Sequence, residues 1–122
     1  MVDPATLTRL AMALPDARDD SQPGRPVFSV GGKGFAWTYL LRAAPKKPRL
    51  PQPDRLAVRC LIETKEMLIE TAPDRFFTDD HYRGYPAVLV RLDVIEEGEL
   101  AGLLKAAWRL TAPKALVKRI EG

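Results

Sequence analysis

The two ends of the chain carry helical patterns, and each pattern has a single apolar stripe. In the first helix, predicted over residues 3–14 behind an Asp3 cap, the stripe consists of Leu7, Leu10, Ala11 and Leu14. In the second, predicted over residues 96–110 and ending near Pro113, it consists of Leu100, Leu103, Leu104, Ala107 and Trp108. Because a helix with one apolar stripe buries one side only, we expect both helices to pack on the same face of the elements between them.

Short runs rich in β-branched and aromatic residues predict strands between these helices. They lie at 27–30, 35–41, 56–62, 75–78 and 87–93, and a short helix from a Thr64 cap to Pro73 separates the third from the fourth. The glycines at 31–34 supply the positive φ angles of a tight hairpin turn. The links have hairpin length, so the order α-β(3)-α-β(2)-α predicts an α+β fold, a two-layer sandwich with a mostly antiparallel sheet. Helices cover one face of this sheet, and the other face is left for water, a partner or a ligand.

Four local expectations depend on particular positions. Residues 43–54 hold four prolines, which cannot donate to a sheet ladder, so this connection is expected to lie outside the central pairing. Simple alternation places Phe35, Trp37 and Tyr39 on one face of their strand. Asp93 with Glu96 has the spacing of a capping box at the start of the last helix. The polar residues 16–25 predict a loop.

The chain length and the cysteine content bound the class of protein. A length of 122 residues predicts one domain over residues 1–122. The one cysteine, Cys60, cannot form an intramolecular disulfide, and we find neither a leader segment nor an apolar run near the ~20 residues of a membrane helix. We therefore expect a cytoplasmic protein without a membrane partner. Val58 and Ile62 flank Cys60 on its face of the predicted strand, so we expect a buried, unreactive thiol.

Charge is strongly segregated along the chain, although the net charge is only +3. Residues 25–59 hold eight basic side chains and one acidic one, a balance of +7, while residues 60–104 have a balance of −6. Five of these cations lie on the glycine turn or around the proline-rich connection: Lys33, Arg42, Lys46, Lys47 and Arg49. Prolines hold such cations in an extended chain, which suits contact with phosphates. The alternative is an ordinary solvated loop.

Catalytic chemistry finds little support in the sequence. His81 is the only histidine, which removes most acid–base, triad and zinc arrangements. The glycines at 31–34 lack the spacing of a phosphate-binding loop. We therefore expect no enzyme activity, no metal and no cofactor. The one catalytic alternative is an enzyme acting on a small ligand at the His81–Tyr85 loop, because residues 76–86 mix rings, a cation and a glycine.

Three stretches of this chain resemble the MmcQ/YjbR family. They read FTDDHYRGYPAVLVRL at 77–92, AWRLTAPK at 107–114, and LP at 14–15 followed by FSVGGKGF at 28–35. The match spans nearly the whole chain. The resemblance implies a two-layer α/β sandwich with the same element order, related in shape to secretion chaperones and described as a double-wing DNA-binding type.

Charge and resemblance together favour a DNA-binding module, or a module for another phosphate-rich ligand, that uses its basic hairpins as wings. Its binding would be weak and non-specific, with Tyr82, Arg83 and Lys114 adding contacts to the five cations named above. The alternative is a protein-interaction module that docks a peptide or a second copy of the chain through the open sheet face or a sheet edge.

Overall fold

The structure, a computed structural model, describes residues 1–42 and 44–121, without the side chain of Arg42. Within these ranges it contains four helices and six strands. The helices are α1 (Pro4–Met12), α2 (Ile62–Thr71), α3 (Glu97–Thr111) and α4 (Lys114–Glu121). The strands are β1 (Arg18–Asp19), β2 (Val27–Val30), β3 (Lys33–Arg42), β4 (Arg49–Arg59), β5 (Phe76–Phe77) and β6 (Ala87–Arg91).

The six strands form one antiparallel sheet in the order β1-β2-β3-β4-β6-β5. α1 packs against α3, and α3 lies on β3 and β4. Leu7 of α1 and both Leu104 and Trp108 of α3 are buried in one cluster, which also contains Phe28 and Val58 of the sheet. The predicted α+β fold is therefore confirmed, and so is the packing of the two long helices on one face.

Two hydrogen bonds fix the ends of this helical layer. The backbone N–H of Thr6 donates to Asp3 Oδ1 at 2.7 Å, so Asp3 caps α1 as the sequence predicts. The indole N–H of Trp108 donates to the carbonyl oxygen of Pro15 at 2.8 Å. The chain that follows α1 is thereby tied to the buried side of α3.

β3 and β4 extend beyond the rest of the sheet as a two-stranded ribbon. β2 pairs with β3 no further than Trp37, and β6 pairs with β4 only from Arg55 onward. Past these points the register shifts between Thr38 and Leu40, and β3 then pairs with β4 from Leu40 opposite Pro51 to Arg42 opposite Arg49. We call residues 38–42 and 44–54 the ribbon. Its strands project roughly 17 Å past Trp37, at about 3.3 Å per residue.

The ribbon corrects the prediction for the proline-rich connection. Residues 49–53 were predicted as a connection outside the central pairing; they belong to β4 instead, with Pro51 opposite Leu40 of β3, but they pair on one side only. The structure tolerates these prolines because β6 does not reach this half of β4, which needs backbone donors on one side only. The restriction on proline applies to a central strand, and the ribbon half of β4 is an edge.

A β-bulge corrects the predicted face of Phe35. The register between β2 and β3 shifts after Phe28, which leaves Phe35 as an extra residue in β3. Its ring is buried in the cluster under the helices, whereas Trp37 and Tyr39 belong to a second cluster on the other face of the sheet. Simple alternation fails here because the bulge changes the phase of the strand.

The predicted caps of α2 and α3 are both wrong. α2 begins at Ile62, two residues before the predicted Thr64 cap, so Ile62 is not part of the preceding strand. α3 begins at Glu97, and Asp93 does not cap it. The Asp93 carboxylate instead accepts a hydrogen bond from Arg55 at 2.9 Å, because the end of β6 brings these two side chains together.

Two elements lie where the sequence analysis predicts none. β1 lies inside the predicted loop 16–25 and pairs with β2. α4 follows Pro113, and Leu116 on its inner side is buried against the core. None of the helices in the described ranges has both the length and the apolar content to cross a membrane.

Candidate functional site

The tip of the ribbon carries exposed positive charge. Lys46 and Lys47 are both exposed, and within the described residues neither forms an ion pair. Arg42 and Arg49 close the hairpin opposite each other, and no acidic residue occurs in the sequence between 21 and 53. The ribbon therefore presents four basic residues with no acidic residue on it before Asp54. Their local field is unopposed by neighbours in the hairpin.

The structure separates the other predicted cations from this tip. Lys33 and Arg42 begin and end β3, so they lie roughly 30 Å apart at about 3.3 Å per residue. Lys114 lies at the Lys33 end, because the turn residue Gly31 abuts the ring of Pro113. The predicted set thus divides into a ribbon group and a distant pair.

The second face of the sheet is not open at its centre. Tyr39, Ala57, Tyr82, Ala87 and Leu89 form a buried cluster there, separate from the cluster under the helices. Tyr82 belongs to residues 78–86, which we call the aromatic loop. This loop lies over the sheet face that the sequence analysis leaves for water, a partner or a ligand. The predicted open face is therefore partly covered by the protein's own rings.

A pocket of about 240 Å³ lies at the edge of this cluster. It is lined by Trp37, His81, Tyr82 and Tyr85. The rings of Trp37 and Tyr85 are nearly perpendicular, with centroids 6.3 Å apart, and Tyr82 meets Tyr85 edge-on at 6.0 Å. The indole N–H of Trp37 donates to the Tyr82 hydroxyl at 3.0 Å. The strand and the aromatic loop thus supply one wall each, and a hydrogen bond joins them.

A buried lysine holds the aromatic loop in place. Lys65 of α2 is 4% exposed, and its Nζ donates to the carbonyl oxygens of Tyr82 at 2.6 Å and Tyr85 at 3.0 Å. Burial lowers the pKa of the Lys65 ammonium, and the nearby Cys60 and Asp79 oppose this shift. No carboxylate lies within ion-pair distance of Lys65 among the described residues. The charge is therefore satisfied by main-chain oxygens.

Asp79 holds the other end of the aromatic loop. Its carboxylate accepts a hydrogen bond from the Tyr39 hydroxyl at 2.5 Å and another from the backbone N–H of Tyr82 at 2.9 Å. Burial raises the pKa of Tyr39, and the hydrogen bond to Asp79 raises it further. The positive charge of Arg49 opposes this rise in the pKa of Tyr39.

Arginines border the aromatic surface. The guanidinium of Arg59 lies 5.3 Å from the centroid of the Trp37 ring, and its Nε donates to the carbonyl oxygen of Gly34 at 3.0 Å. Arg91 lies 4.4 Å from the centroid of Phe77. Such contacts hold each cation over a ring face while leaving hydrogen-bond donors for a ligand. Rings and cations therefore alternate along this side of the sheet.

The remaining predicted residues occupy different environments. Tyr82 is 8% exposed, so its ring forms an inner wall of the pocket and has little surface for a phosphate. Arg83 is exposed and pairs with Asp80 at 2.7 Å. Cys60 is buried as predicted, and burial raises the pKa of its thiol.

Sequence reasoning missed the roles of Trp37, Arg59 and Lys65. The first two become neighbours only through the register of β3 with β4, which local pattern does not reveal. For Lys65 a signal exists: it occupies the first position of an i, i+3, i+4, i+7 stripe that continues with Leu68, Ile69 and Ala72. A lysine in an otherwise apolar stripe indicates a buried cation with a specific partner.

Fold and site together define a small α+β protein with a six-stranded antiparallel sheet, helices on one face, a basic ribbon, and an aromatic pocket on the other face. The family model described as YjbR matches residues 12–110. The chain belongs to the YjbR family.

Known relatives are similar over most of their length. Uncharacterized proteins of Mycobacterium tuberculosis and Mycobacterium bovis are each 41% identical over 98 residues, which cover 75% of this chain and 76% of the relative. A Deinococcus radiodurans protein with a DUF419 domain has a TM-score of 0.67 at 22% identity, covering 94% of this chain and 82% of that one. A Pseudomonas syringae protein has a TM-score of 0.66 at 15% identity, covering 90% and 99%. These two structures share the fold.

Proposed function

We propose that this protein binds DNA through the phosphate backbone, with the ribbon as its main contact. The observation that carries the proposal is the projecting hairpin with four basic residues and no acidic residue before Asp54. The sequence-independent part of DNA affinity comes from clustered Lys and Arg that displace counterions from phosphates. Binding of this kind is weak and has little sequence preference.

The shape of the ribbon supports the proposal. The major groove of DNA is wide enough to admit a two-stranded β-ribbon. Pro51 and Pro53 in β4, with Pro45 and Pro48 near the tip, restrict the backbone, so less conformational entropy is lost when the ribbon is ordered on a partner. A single hairpin held this way acts as one wing.

The test is the salt dependence of binding to a short DNA duplex, measured by fluorescence anisotropy. Four phosphate contacts predict that log K falls with log salt at a slope near about −3.6, at 0.9 per contact. Replacing Lys46→Glu and Lys47→Glu together should weaken binding to every sequence alike. The slope should become shallower, at about −1.8, because two phosphate contacts remain.

The matched control is the double variant Lys105→Glu with Lys118→Glu. It changes the net charge by the same amount, but both residues are exposed on the helical side, on α3 and α4. The control should keep the wild-type slope. Equal losses in the two double variants would show that net charge alone drives binding, and would contradict a ribbon site. Absence of binding at low salt near ~10⁻⁴ M, the weak end of non-specific affinities, would contradict DNA binding itself.

A second candidate function is self-association or peptide binding through the ribbon. Leu41 and Leu50 lie opposite each other on the two ribbon strands and are 44% and 56% exposed. A cross-strand pair of exposed leucines is an apolar contact surface. Sedimentation over a range of protein concentrations tests this candidate. A dimer that is lost in the variant Leu41→Ser with Leu50→Ser would support it, and a monomer at all concentrations would exclude self-association.

The proposal places the protein in the cytoplasm, with no cofactor and no catalytic role. The single cysteine supports a reducing compartment, since the chain cannot form an internal disulfide.

A further inference from the structure

We propose that the pocket formed by Trp37, His81, Tyr82 and Tyr85 binds one unpaired nucleobase of a single-stranded DNA. This inference rests on the proposed function, because it takes the ribbon as the contact for the neighbouring phosphates. It adds a second contact that phosphate binding does not supply. The protein should therefore prefer single-stranded DNA, whose bases are free, to duplex DNA, whose bases are stacked.

The walls of the pocket suit a flat ring. Trp37 and Tyr85 stand at 83° to each other, so a base that lies on the face of one ring meets the edge of the other. Both arrangements are favourable for aromatic pairs. The volume of about 240 Å³ is below the 300–1,000 Å³ of pockets that take drug-sized ligands, so it fits one ring system and leaves the attached sugar and phosphate outside.

Charge around the pocket selects the ligand class. The Arg59 guanidinium lies over Trp37, and the Lys65 ammonium lies behind the aromatic loop. Burial raises the pKa of Tyr82, and the positive charge of Arg49 opposes that rise. The two acidic residues of the aromatic loop are already engaged, since Asp79 accepts two hydrogen bonds and Asp80 pairs with Arg83. The cations around the pocket disfavour a cationic guest, and they favour a neutral ring that is joined to an anionic phosphate.

The pocket is continuous with the ribbon. Trp37 is the last residue of β3 before the ribbon begins, and the Arg49 guanidinium donates to the carbonyl oxygen of Leu40 at 3.4 Å, one residue past Tyr39. From the pocket to the pairing of Arg42 with Arg49 is five residues, roughly 17 Å along the strand. A strand can therefore place a base in the pocket while its phosphates follow the ribbon. A basic track with stacking rings is the usual arrangement for single strands.

The pocket is built before any ligand arrives. Lys65 holds two main-chain oxygens of the aromatic loop, and the hydrogen bond from Trp37 to Tyr82 joins the loop to β3. A site held by its own hydrogen bonds loses little entropy on binding.

The experiment compares two strands of equal charge: a dodecamer of thymidylate, and a dodecamer in which every base is replaced by an abasic sugar. Affinities are measured by anisotropy for the wild type, for Tyr85→Ala and for the control Leu110→Ala. Tyr85 and Leu110 are similarly exposed, at 43% and 47%. The wild type and the control should bind the thymidylate strand about 5- to 150-fold more tightly than the abasic strand, the range that one stacked base provides. Tyr85→Ala should bind both strands alike and bind duplex DNA as the wild type does.

Equal affinity of the wild type for both strands would overturn the inference, and so would a base-dependent gain that survives in Tyr85→Ala. The double variant Lys46→Glu with Lys47→Glu separates this inference from the proposed function. If only the pocket fails, binding to both strands stays equal and salt-dependent, and the double variant weakens it. If only the ribbon fails, the ratio between the strands persists and the double variant changes neither affinity. No binding to either strand would overturn both.

Discussion

The turn between β2 and β3 contacts the junction of α3 and α4, and the effect of this contact on the free energy of unfolding can be measured. Gly31 has φ +60°, and a Cβ there would meet Cδ and Cγ of Pro113 at 2.8 Å. Gly32 has φ +82°, and a Cβ there would meet nothing within 4 Å. The two glycines therefore share the backbone conformation and differ in the contact, which makes them a matched pair.

Gly32→Ala should cost about 1–2 kcal/mol of unfolding free energy, since only the left-handed backbone is strained. Gly31→Ala carries the same strain and an additional overpacking cost of about 1–3 kcal/mol. Pro113 is a rigid ring rather than the end of a flexible side chain, so the junction must move as a whole. The expected total for Gly31→Ala is roughly 2–5 kcal/mol.

Urea denaturation followed by far-ultraviolet circular dichroism gives both values by linear extrapolation. A double-mutant cycle with Pro113→Ala isolates the contact: Gly31→Ala should cost less in the Pro113→Ala background, while Gly32→Ala should cost the same in both. Equal losses for the two glycine variants would refute the contact between the turn and Pro113.

Three further predictions concern the buried groups. Trp108→Ala should lower the unfolding free energy by about 3–5 kcal/mol in the same assay, because a core aromatic and its bond to Pro15 are lost; a loss under about 1 kcal/mol would contradict burial. The native protein should resist a thiol reagent at Cys60 until urea unfolds it, and rapid labelling without denaturant would refute this. Lys65 has a lowered pKa, so the folded protein releases that proton before the unfolded chain does, and the wild type should gain stability relative to Lys65→Met as pH rises toward about 10.4. Urea titrations of both proteins at neutral and alkaline pH test this, and a constant difference would contradict it.

Local pattern was sufficient for the elements that depend on it. The stripes of α1 and α3 have a helical period, and helices with one stripe can be covered on one side only, so their shared face followed from sequence. The Asp3 cap is a contact with Thr6, only three residues later in the chain, so it was also predictable. The caps of α2 and α3 were not predictable in this way. For α3 the reason is that Asp93 forms a hydrogen bond with Arg55, which lies 38 residues away in sequence.

Strand register is what the sequence did not reveal. One extra residue at Phe35 changes the phase of β3, and the prolines of β4 are tolerated only because β6 is short. The same limitation applies to the site. Lys33 and Arg42 belong to one basic region in sequence, yet they lie at opposite ends of one strand. The pocket brings Trp37 next to an aromatic loop that lies more than 40 residues later in the chain, and no local sequence pattern predicts that contact.

The way in which Lys65 holds the aromatic loop has a consequence for how this surface can evolve. The lysine donates to main-chain oxygens of the loop, and the backbone N–H groups of Tyr85 and of Ala87 at the start of β6 donate to the same two carbonyls. The position of the loop is thus set by Lys65, by the hydrogen-bond partners Asp79 and Tyr82, and by the main chain, while the exposed side chains at 81, 83 and 85 make none of these hydrogen bonds. Substitutions at these three positions should therefore change what the surface contacts without changing the position of the loop.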